Sequence, residues 1–280
     1  MAFLSHLIYG LQLGAIYALV ALGYSMVYGI IRLINFAHGD IIMVASFVVW
    51  YLIARLNVPV WLSILICVAF TSLLGVAIEK LAYKPLRHSA RISLLITAIG
   101  ISFFLQNAAQ LIFGADPVMF ENLFPGNLSL GALTVSRVSV IIICVSIVLM
   151  IALVLLVNKT RMGRAMRAVS EDESTAALMG INVNTTISFA FALGSALAAV
   201  AAILYSCAYT QISPTMGGML GLKAFVAAVL GGIGSIPGAM VGGIAIGLSA
   251  WKDAVTFAIL IIVLLVKPTG FLGRKVQEKV

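Results

Sequence analysis

Long runs of apolar residues, each close to the length that crosses a lipid bilayer, constrain this chain more than any other feature. A bilayer core of about 30 Å requires about 20 apolar residues in a helix, and such runs recur along the whole sequence. Hydrophobic residues make up 62% of the 280 positions and charged residues 9%, far from the composition of soluble domains. The sequence therefore predicts an all-α integral membrane protein, a polytopic helix bundle forming one domain over residues 1–280.

We expect about eight spans, of which the second and the last are short. The predicted segments are Leu7–Ile31, Ile41–Ile53, Val58–Ile78, Ile92–Phe113, Val138–Val157, Ile187–Tyr209, Ala224–Leu248 and Ala254–Val266. The first segment lacks a basic leader and is too long for the apolar part of a signal peptide, so we expect it to be the first span. Three cysteines, Cys67, Cys144 and Cys207, lie far apart in apolar runs, which predicts free, buried thiols.

Basic residues collect at four places, and these places predict the orientation. The positive-inside rule makes them cytoplasmic and puts residues 114–136, which carry Asp116 and Glu121 but no Lys or Arg, on the outside. After Tyr209, either one broken segment plus a final span or three short crossings would return the chain to the inside. The basic groups are Arg32; Lys80, Lys84, Arg87 and Arg91; Lys159, Arg161, Arg164 and Arg167; and Lys267, Arg274, Lys275 and Lys279.

Glycines mark close packing and a helix break. Pairs four residues apart, such as Gly10 with Gly14 and Gly243 with Gly247, favour tight contact between helices. The stretch "KAFVAAVLGGIGSIPGAMVGG" holds too many helix breakers for a straight helix, which predicts a broken or re-entrant segment. Transporters place such breaks along their pathways. The candidate pathway and gate residues are Gly231, Gly232, Gly234, Ser235, Pro237 and Gly238, with Gln12, Tyr17, Gln106 and Asn107 either in the pathway or joining helices.

Polar residues gather after the first predicted span, in "IRLINFAHGDIIM". We expect Asn35 to cap the next helix and Asp40 to lie near the positive end of that helix. A proton relay through His38 and Asp40 is the alternative. Because Arg32 puts the cluster at a predicted cytoplasmic boundary, where charge costs little, the structural role is favoured.

A polar island, "KTRMGRAMRAVSEDESTAALMGINVNTT" from Lys159 to Thr186, interrupts the apolar sequence. Its helix formers predict a short cytoplasmic helix or a pair of helices, ending near Gly180. An apolar stripe on this segment predicts a protein partner, and a solvated loop that only sets topology is the alternative. The stripe consists of Ala165, Met166, Val169, Ala176, Ala177, Leu178 and Met179.

No motif for nucleotide hydrolysis or other catalysis accompanies these features. The sequence contains no G-x-x-x-x-G-K-[ST], no H-E-x-x-H and no G-x-S-x-G. A membrane pathway with a docking helix but without its own source of energy indicates that the energy comes from another chain.

Four stretches resemble the Liv-type permease subunits of branched-chain amino-acid ABC importers, the H-type subunit in particular. They are "GLQLGAIYALVALGYSMVYGIIRLINFAHGDIIMVASF", "RAMRAVSEDESTAALMGIN", "KAFVAAVLGGIGSIPGAMVGG" and "WKDAVTFAILIIVLLVKPTGFLG". The family pattern has additional residues between "GGIAIGL" and "WKDA", so we expect a segment to be missing after Leu248.

The resemblance implies a permease that is not an enzyme, in a bacterial cytoplasmic (inner) membrane. It implies a second permease subunit forming a heterodimer, two ATP-binding cassette ATPases, an extracytoplasmic solute-binding protein and lipid as partners, and no nucleic acid. ATP and magnesium would bind the ATPases, leaving this chain without a cofactor. Imported substrates would be branched-chain amino acids or related small amino acids and amides, moved by alternating access.

In this family the cytoplasmic segment, here about 159–184, docks on the ATPase, although a strict E-A-A motif is absent. The implied coupling residues are Arg164, Arg167, Glu171, Glu173, Ala176, Ala177 and Gly180.

The alternative is an ion-coupled secondary transporter or channel subunit, which predicts a charged residue at mid-depth in the membrane. The charged residues fall instead near predicted boundaries, and adjacent Lys252 and Asp253 are interpreted as an interfacial pair. A purely structural subunit would not need the broken segment. The sequence therefore favours the importer.

Overall fold

The computed structural model describes residues 2–31, 35–87, 89–130 and 133–248, with residues 258, 261 and 265. The last predicted span, Ala254–Val266, falls almost wholly outside the described residues, as do Arg32, Lys252 and Asp253. The helices are α1 (Ala2–Ile31), α2 (His38–Ala54), α3 (Val60–Ile78), a π-turn (Glu79–Tyr83), α4 (Lys84–Leu86), α5 (Arg91–Phe113), α6 (Arg137–Lys159), α7 (Arg161–Glu171), α8 (Glu173–Leu178), α9 (Val183–Tyr209), α10 (Met216–Gly231) and α11 (Ile236–Leu248).

The predicted all-α membrane fold is confirmed. Five helices, which are α1, α3, α5, α6 and α9, are long and apolar enough to cross a bilayer, and three shorter apolar helices accompany them. Two small antiparallel strand pairs were missed: β2 (Asn127–Leu130) with β3 (Leu133–Ser136), and β1 (Val118–Met119) with β4 (Gln211–Ile212). Strands this short offer no alternating pattern to read.

The apolar helices α1, α2, α3, α5, α6 and α9 alternate in direction along the chain, as the distribution of basic residues predicts. The ends of α1 and α3 meet the start of α9 around one cavity, next to α7 and α8. On the opposite side, Val118 pairs with Ile212 and the Trp50 indole donates to the Met119 carbonyl at 3.1 Å. We call the first side the basic face because it carries Lys80, Lys84, Arg87, Lys159, Arg161, Arg164 and Arg167.

The broken glycine-rich segment consists of two antiparallel helices, α10 and α11, joined at Gly232–Ser235. Helix α10 begins at Met216, earlier than the predicted Ala224, because the segment after β4 turns directly into it. The turn needs glycine at two positions, since Gly232 has φ +105° and Gly234 has φ +84°. Ser235 then accepts the Gly238 amide at 3.3 Å and so caps α11. The break lies where the sequence predicts it.

Glycines bring α11 against both α10 and α1. A Cβ added to Gly231 would lie 1.8 Å from the Gly238 carbonyl oxygen, and one on Gly247 would lie 2.1 Å from the Gly14 backbone. At the basic face, Gly234 approaches Gly29. The hairpin therefore runs along almost the full length of α1, and the predicted close-packing role of the glycine pairs is confirmed.

Helices α1 and α9 form the centre of the bundle. The most apolar stretch of α1 is 83% buried and that of α9 is 67% buried, against 22–28% for α3, α5 and α6. Large apolar side chains on these outer helices, such as Phe104 and Leu73, remain exposed to lipid or a partner. Cys67 and Cys207 are buried and free, as predicted, but Cys144 lies exposed on α6, so its predicted burial is wrong.

We predict that Gly243→Ala destabilises the bundle by about 1–3 kcal/mol, because the added methyl group must force two backbones apart. Its Cβ would lie 2.4 Å from the Ala18 backbone. Gly100→Ala is the matched control, because nothing lies within 4 Å of a Cβ there. Thermal unfolding in detergent should show a lower midpoint for Gly243→Ala only. Equal midpoints would mean that the α1–α11 contact is not tight.

Candidate functional site

The polar island folds as two short helices on the basic face, one of the predicted outcomes. Helix α7 is capped by Thr160, whose hydroxyl oxygen accepts the Gly163 amide at 3.0 Å. It turns back tightly on α6, because a Cβ on Gly163 would lie 2.3 Å from the Val157 carbonyl oxygen. Met166 and Val169 are each only 3% exposed, so the apolar side of α7 packs on the protein's own bundle.

Helix α8 begins at the capping residue Asp172, whose carboxylate accepts the Thr175 amide at 2.7 Å and the Ser174 hydroxyl at 2.6 Å. These two hydrogen bonds lower the pKa of Asp172 from 3.8 to about 2, since they stabilise the ionised form. Gly180 ends the helix with φ +81°, the left-handed conformation that favours glycine. Helix α8 is thus bounded sharply at both ends.

The predicted apolar stripe is divided between two directions. Ala176 is 3% exposed and packs inward, whereas Leu178 and Met179 are 88% and 79% exposed. With Ala177, these two side chains form an apolar tip, by which we mean residues 177–179, at the end of α8. An apolar tip of this kind on a charged surface is typical of a protein contact.

The predicted coupling residues occupy different environments. Arg164, Glu171, Ala177 and Gly180 are exposed and Ala176 is buried. Arg167 donates to the Val157 carbonyl at 3.0 Å and to Asn158 Oδ1 at 2.9 Å, so it ties α7 to the end of α6. Glu173 is half exposed and lies 3.5 Å from Arg87 Nη1.

Arg87 is the centre of a charged network that the sequence analysis missed. Its guanidinium lies 3.0 Å from Glu79 Oε1 on the π-turn and donates to Asn184 Oδ1 at 3.0 Å. The Glu79 side chain is only 1% exposed, and its second oxygen accepts the Ser188 hydroxyl at 2.6 Å. The sequence signal for this network was Glu79 within the apolar run "GVAIEKLAY", because a buried carboxylate requires a partner.

A cavity of about 760 Å³ opens between this network and α8. Charged and polar side chains line both the side toward α8 and the side toward the π-turn, and apolar side chains from α1, α5, α7, α8 and α9 line the rest. The polar walls come from Glu79, Tyr83, Arg87, Ser170, Glu171, Asp172, Glu173, Ser174 and Asn184, and the apolar walls from Ile30, Ile31, Leu94, Val169, Ala177, Val183, Ile187 and Phe191.

The predicted pathway residues do not converge on this cavity. Gly231 and Gly238 are buried between α10 and α11, Gly232, Gly234 and Ser235 form the turn that joins these helices, and Pro237 lies in the first turn of α11. The polar candidates within the spans are also separated from one another. Gln12 accepts the Ser139 hydroxyl at 2.6 Å, Tyr17 is buried in α1, Gln106 donates to Asp40 at 2.9 Å, and the exposed Asn107 donates to its own helix at the Phe103 carbonyl.

Asn35, His38 and Asp40 are all buried, and His38 and Asp40 lie inside the bundle and not at its edge, so the predicted boundary position of these two residues is wrong. A Cβ on Gly23 would lie 2.3 Å from His38 Nε2. Gly23 precedes the end of α1 at Ile31 by about 12 Å along the helix axis. Helix α2 therefore begins inside the protein, beside Gly23 and not beside the end of α1.

The Asp40 carboxylate and the Asn35 side-chain oxygen are held by other elements, whereas the buried Asn35 Nδ2 and His38 Nε2 have no hydrogen-bond partner among the described residues. Asp40 lies in the first turn of α2, as predicted, and its carboxylate accepts hydrogen bonds from Ser102 and Gln106 of α5. Asn35 does not cap α2; its Oδ1 accepts the Ala37 amide at 3.1 Å and the Tyr83 hydroxyl at 2.8 Å. In the described part of the chain, no three His, Cys, Asp or Glu side chains are grouped to hold a metal ion.

Comparison with known proteins decides what kind of membrane protein this is. The family described as "Branched-chain amino acid transport system / permease component" matches residues 6–264. The chain belongs to this family. It is a multi-pass ABC permease component and not an enzyme, and permeases of ABC importers work with partner ATPases and a solute-binding protein.

Similar relatives match nearly their full length. The chain is 43% identical to the "High-affinity branched-chain amino acid transport system permease protein BraD" of Pseudomonas aeruginosa, covering 99% of this chain and 98% of the relative. It is 44% identical, with the same coverage, to the corresponding protein LivH of Escherichia coli K12. A "Probable branched-chain amino acid transport permease protein LivH" of Methanocaldococcus jannaschii is 29% identical over 91% of this chain and 88% of the relative.

The alignment with BraD extends over 301 positions, more than the 280 residues of this chain. BraD therefore contains residues that have no counterpart here, in keeping with the expected missing segment. The length of the alignment alone does not locate them, so their position after Leu248 stays a prediction.

We predict that Asp172→Ala loosens α8, while Asp172→Asn, which keeps an acceptor at the cap, does not. The pKa of Asp172 in the folded protein is depressed to about 2. The ionised carboxylate therefore stabilises α8 fully above the ordinary pKa of 3.8, and this stabilisation is lost as pH falls through 2. Hydrogen exchange at Thr175 should therefore quicken in Asp172→Ala and, below pH 3.8, in the unmodified protein. Unchanged protection in Asp172→Ala would contradict the capping role.

Proposed function

We propose that this chain is one permease subunit of an ATP-driven importer for branched-chain amino acids or related small amino acids and amides. The observation that carries the proposal is the match over 98% of the length of BraD and LivH, both named as high-affinity branched-chain amino acid permeases. A bacterial cytoplasmic (inner) membrane is the corresponding location. Two ATPases, a second permease subunit and an extracytoplasmic solute-binding protein complete the proposed assembly.

The geometry of the basic face supports docking of the ATPases at α7 and α8. The close contact of α7 with α6 and the capping of both short helices hold α7 and α8 firmly on the bundle. The apolar tip of α8 remains exposed. In this proposal the tip inserts into a groove on an ATPase, and Arg164 and Glu171 contact the rim of that groove. ATP and magnesium bind to the ATPases, and nucleotide binding shifts the permease pair between two conformations.

The second permease would cover part of the outer helices. Helices α3, α5 and α6 expose most of their apolar residues, which is compatible with a partner subunit on one side and lipid on the others. The coupling roles of Arg167, Glu173 and Ala176 are indirect in this arrangement: Arg167 fixes α7, Ala176 seats α8, and Glu173 reaches Arg87.

Asp40 is an observation that favours the ion-coupled alternative. It is an acid buried inside the bundle, and such residues mark ion pathways in secondary transporters. However, its carboxylate already accepts hydrogen bonds from Ser102 and Gln106, which is what a structural group at a helix junction requires. The family match therefore supports the ATP-driven importer over the alternative.

Uptake by reconstituted vesicles tests this proposal. The chain is purified from its native membrane with its bound proteins, reconstituted with the solute-binding protein, and supplied with radiolabelled leucine. We expect leucine uptake only when ATP is present on the side of the membrane that carries the ATPases. Unlabelled isoleucine and valine should reduce this uptake. Uptake driven by a proton gradient without ATP would overturn the proposal in favour of the ion-coupled transporter.

We predict that the double variant Leu178→Ser/Met179→Ser loses its ATPases on purification, by about tenfold or more, because buried apolar anchors dominate interface energies. Met119→Ser is the control, since Met119 is 75% exposed on the opposite face. Both variants should keep the unfolding temperature of the unmodified chain. Full recovery of the ATPases with Leu178→Ser/Met179→Ser would exclude the tip as the docking contact.

A further inference from the structure

Arg87 stands between the docking helix and the polar cluster in the middle of the bundle. Its guanidinium contacts acceptors on three elements: Glu79 on the π-turn, Asn184 in the first turn of α9, and Glu173 at the start of α8. The cavity separates α8 from the π-turn, with Glu173 on one wall and Glu79 on the other. Arg87 therefore bridges a space that apolar packing leaves open.

The contacts continue from the π-turn into the bundle. Tyr83, the last residue of this turn, donates its hydroxyl to Asn35 Oδ1 at 2.8 Å. The same oxygen accepts the Ala37 amide immediately before α2, and Asp40 follows in the first turn of that helix. Polar contacts thus lead from Glu173 through Arg87 to Glu79, the backbone of the π-turn joins Glu79 to Tyr83, and the Tyr83 hydroxyl continues the path to the start of α2.

The π-turn is a suitable element to move along this path. A π-turn contains one residue more than a regular helical turn, and such turns occur frequently at functional sites. The Lys84 amide donates to the Glu79 carbonyl, the spacing that defines the turn. Because the buried Glu79 carboxylate needs Arg87 as its counter-ion, a displacement of Arg87 acts directly on the turn.

We propose that Arg87 is a positioning residue that transmits the movement of α8, through the π-turn and Tyr83, to the start of α2. The inference rests on the proposed function, because α8 must be moved by an ATPase. Arginine suits the role, since its planar fork can serve three acceptors at once and a lysine ammonium cannot reproduce that geometry.

Two conservative variants test the transmission in the fully assembled, reconstituted importer. Arg87→Lys keeps a counter-ion for Glu79 but not the three-way contact, and Tyr83→Phe removes only the hydroxyl that reaches Asn35. We expect ATP hydrolysis and assembly to persist, while leucine transported per ATP falls about three- to fivefold, the size expected for a partly exposed polar contact. Arg55→Lys, the same change at an exposed residue beside Trp50 on the opposite face, is the charge-matched control and should transport normally.

Combining the variants shows whether the two residues act on one path. If they do, the double variant Arg87→Lys/Tyr83→Phe transports as much leucine per ATP as the single variant with the larger loss. A loss in the double variant equal to the product of the two single-variant losses would contradict a shared path. Normal transport per ATP in Arg87→Lys would overturn the inference while leaving the proposed function intact, whereas failure of the unmodified importer to use ATP would remove the proposed function itself.

Spin labels separate transmission from a purely structural role. In a Cys144→Ala background, which removes the exposed native thiol, one label is placed at Lys80→Cys on the π-turn and another at Thr175→Cys on α8. Nucleotide should change the spectra of both labels in the otherwise unmodified importer. In Arg87→Lys we expect the α8 label to respond and the π-turn label to stop responding. An unaltered response of the π-turn label would contradict the role of Arg87.

Discussion

The structure depends on close backbone contact between α1 and the α10–α11 hairpin. Within a bilayer, burial of apolar surface gives helices little reason to prefer each other over lipid, so contact distance and interhelical hydrogen bonds decide their association. Gly14, Gly243 and Gly247 let α1 and α11 touch through their backbones, and Gly231 with Gly238 does the same within the hairpin. The turn at Gly232–Ser235 lies beside Gly29 at the basic face, where Gly234 is exposed and the Ser235 hydroxyl accepts the Gly238 amide.

Other parts of the molecule are held less tightly, and function is proposed for these parts. The most apolar stretches of the outer helices α3 and α5 are 28% and 22% buried, against 83% for α1 and 67% for α9. At the basic face, an open cavity separates α8 from the π-turn at the end of α3. Polar contacts through Arg87 replace apolar packing there, so this region can change its geometry without exposing a core. A rigid glycine-packed centre beside a polar, loosely packed periphery is an arrangement that can move in two states.

Features that rest on local sequence were predictable, and those that rest on convergence of distant side chains were not. Breakers in "LGGIGSIPG" predicted the hairpin turn, and the composition of residues 163–180 predicted the short helices. The depth of His38 and Asp40 was misjudged because the end of an apolar run was taken as a boundary, whereas α2 begins beside Gly23, inside the bundle. Arg87 and Glu173 lie far apart in sequence, and no local pattern announces their contact.

The most direct test of the account is a pair of structures of the assembled importer, one nucleotide-free and one bound to a non-hydrolysable ATP analogue. We expect α8 to sit in a groove of an ATPase through Leu178 and Met179. We also expect α8, the π-turn and the start of α2 to shift together while the Glu79–Arg87 ion pair stays intact and α11 keeps its contact with α1. An α8 that moves while the π-turn stays fixed, or an ATPase bound elsewhere on the chain, would contradict it.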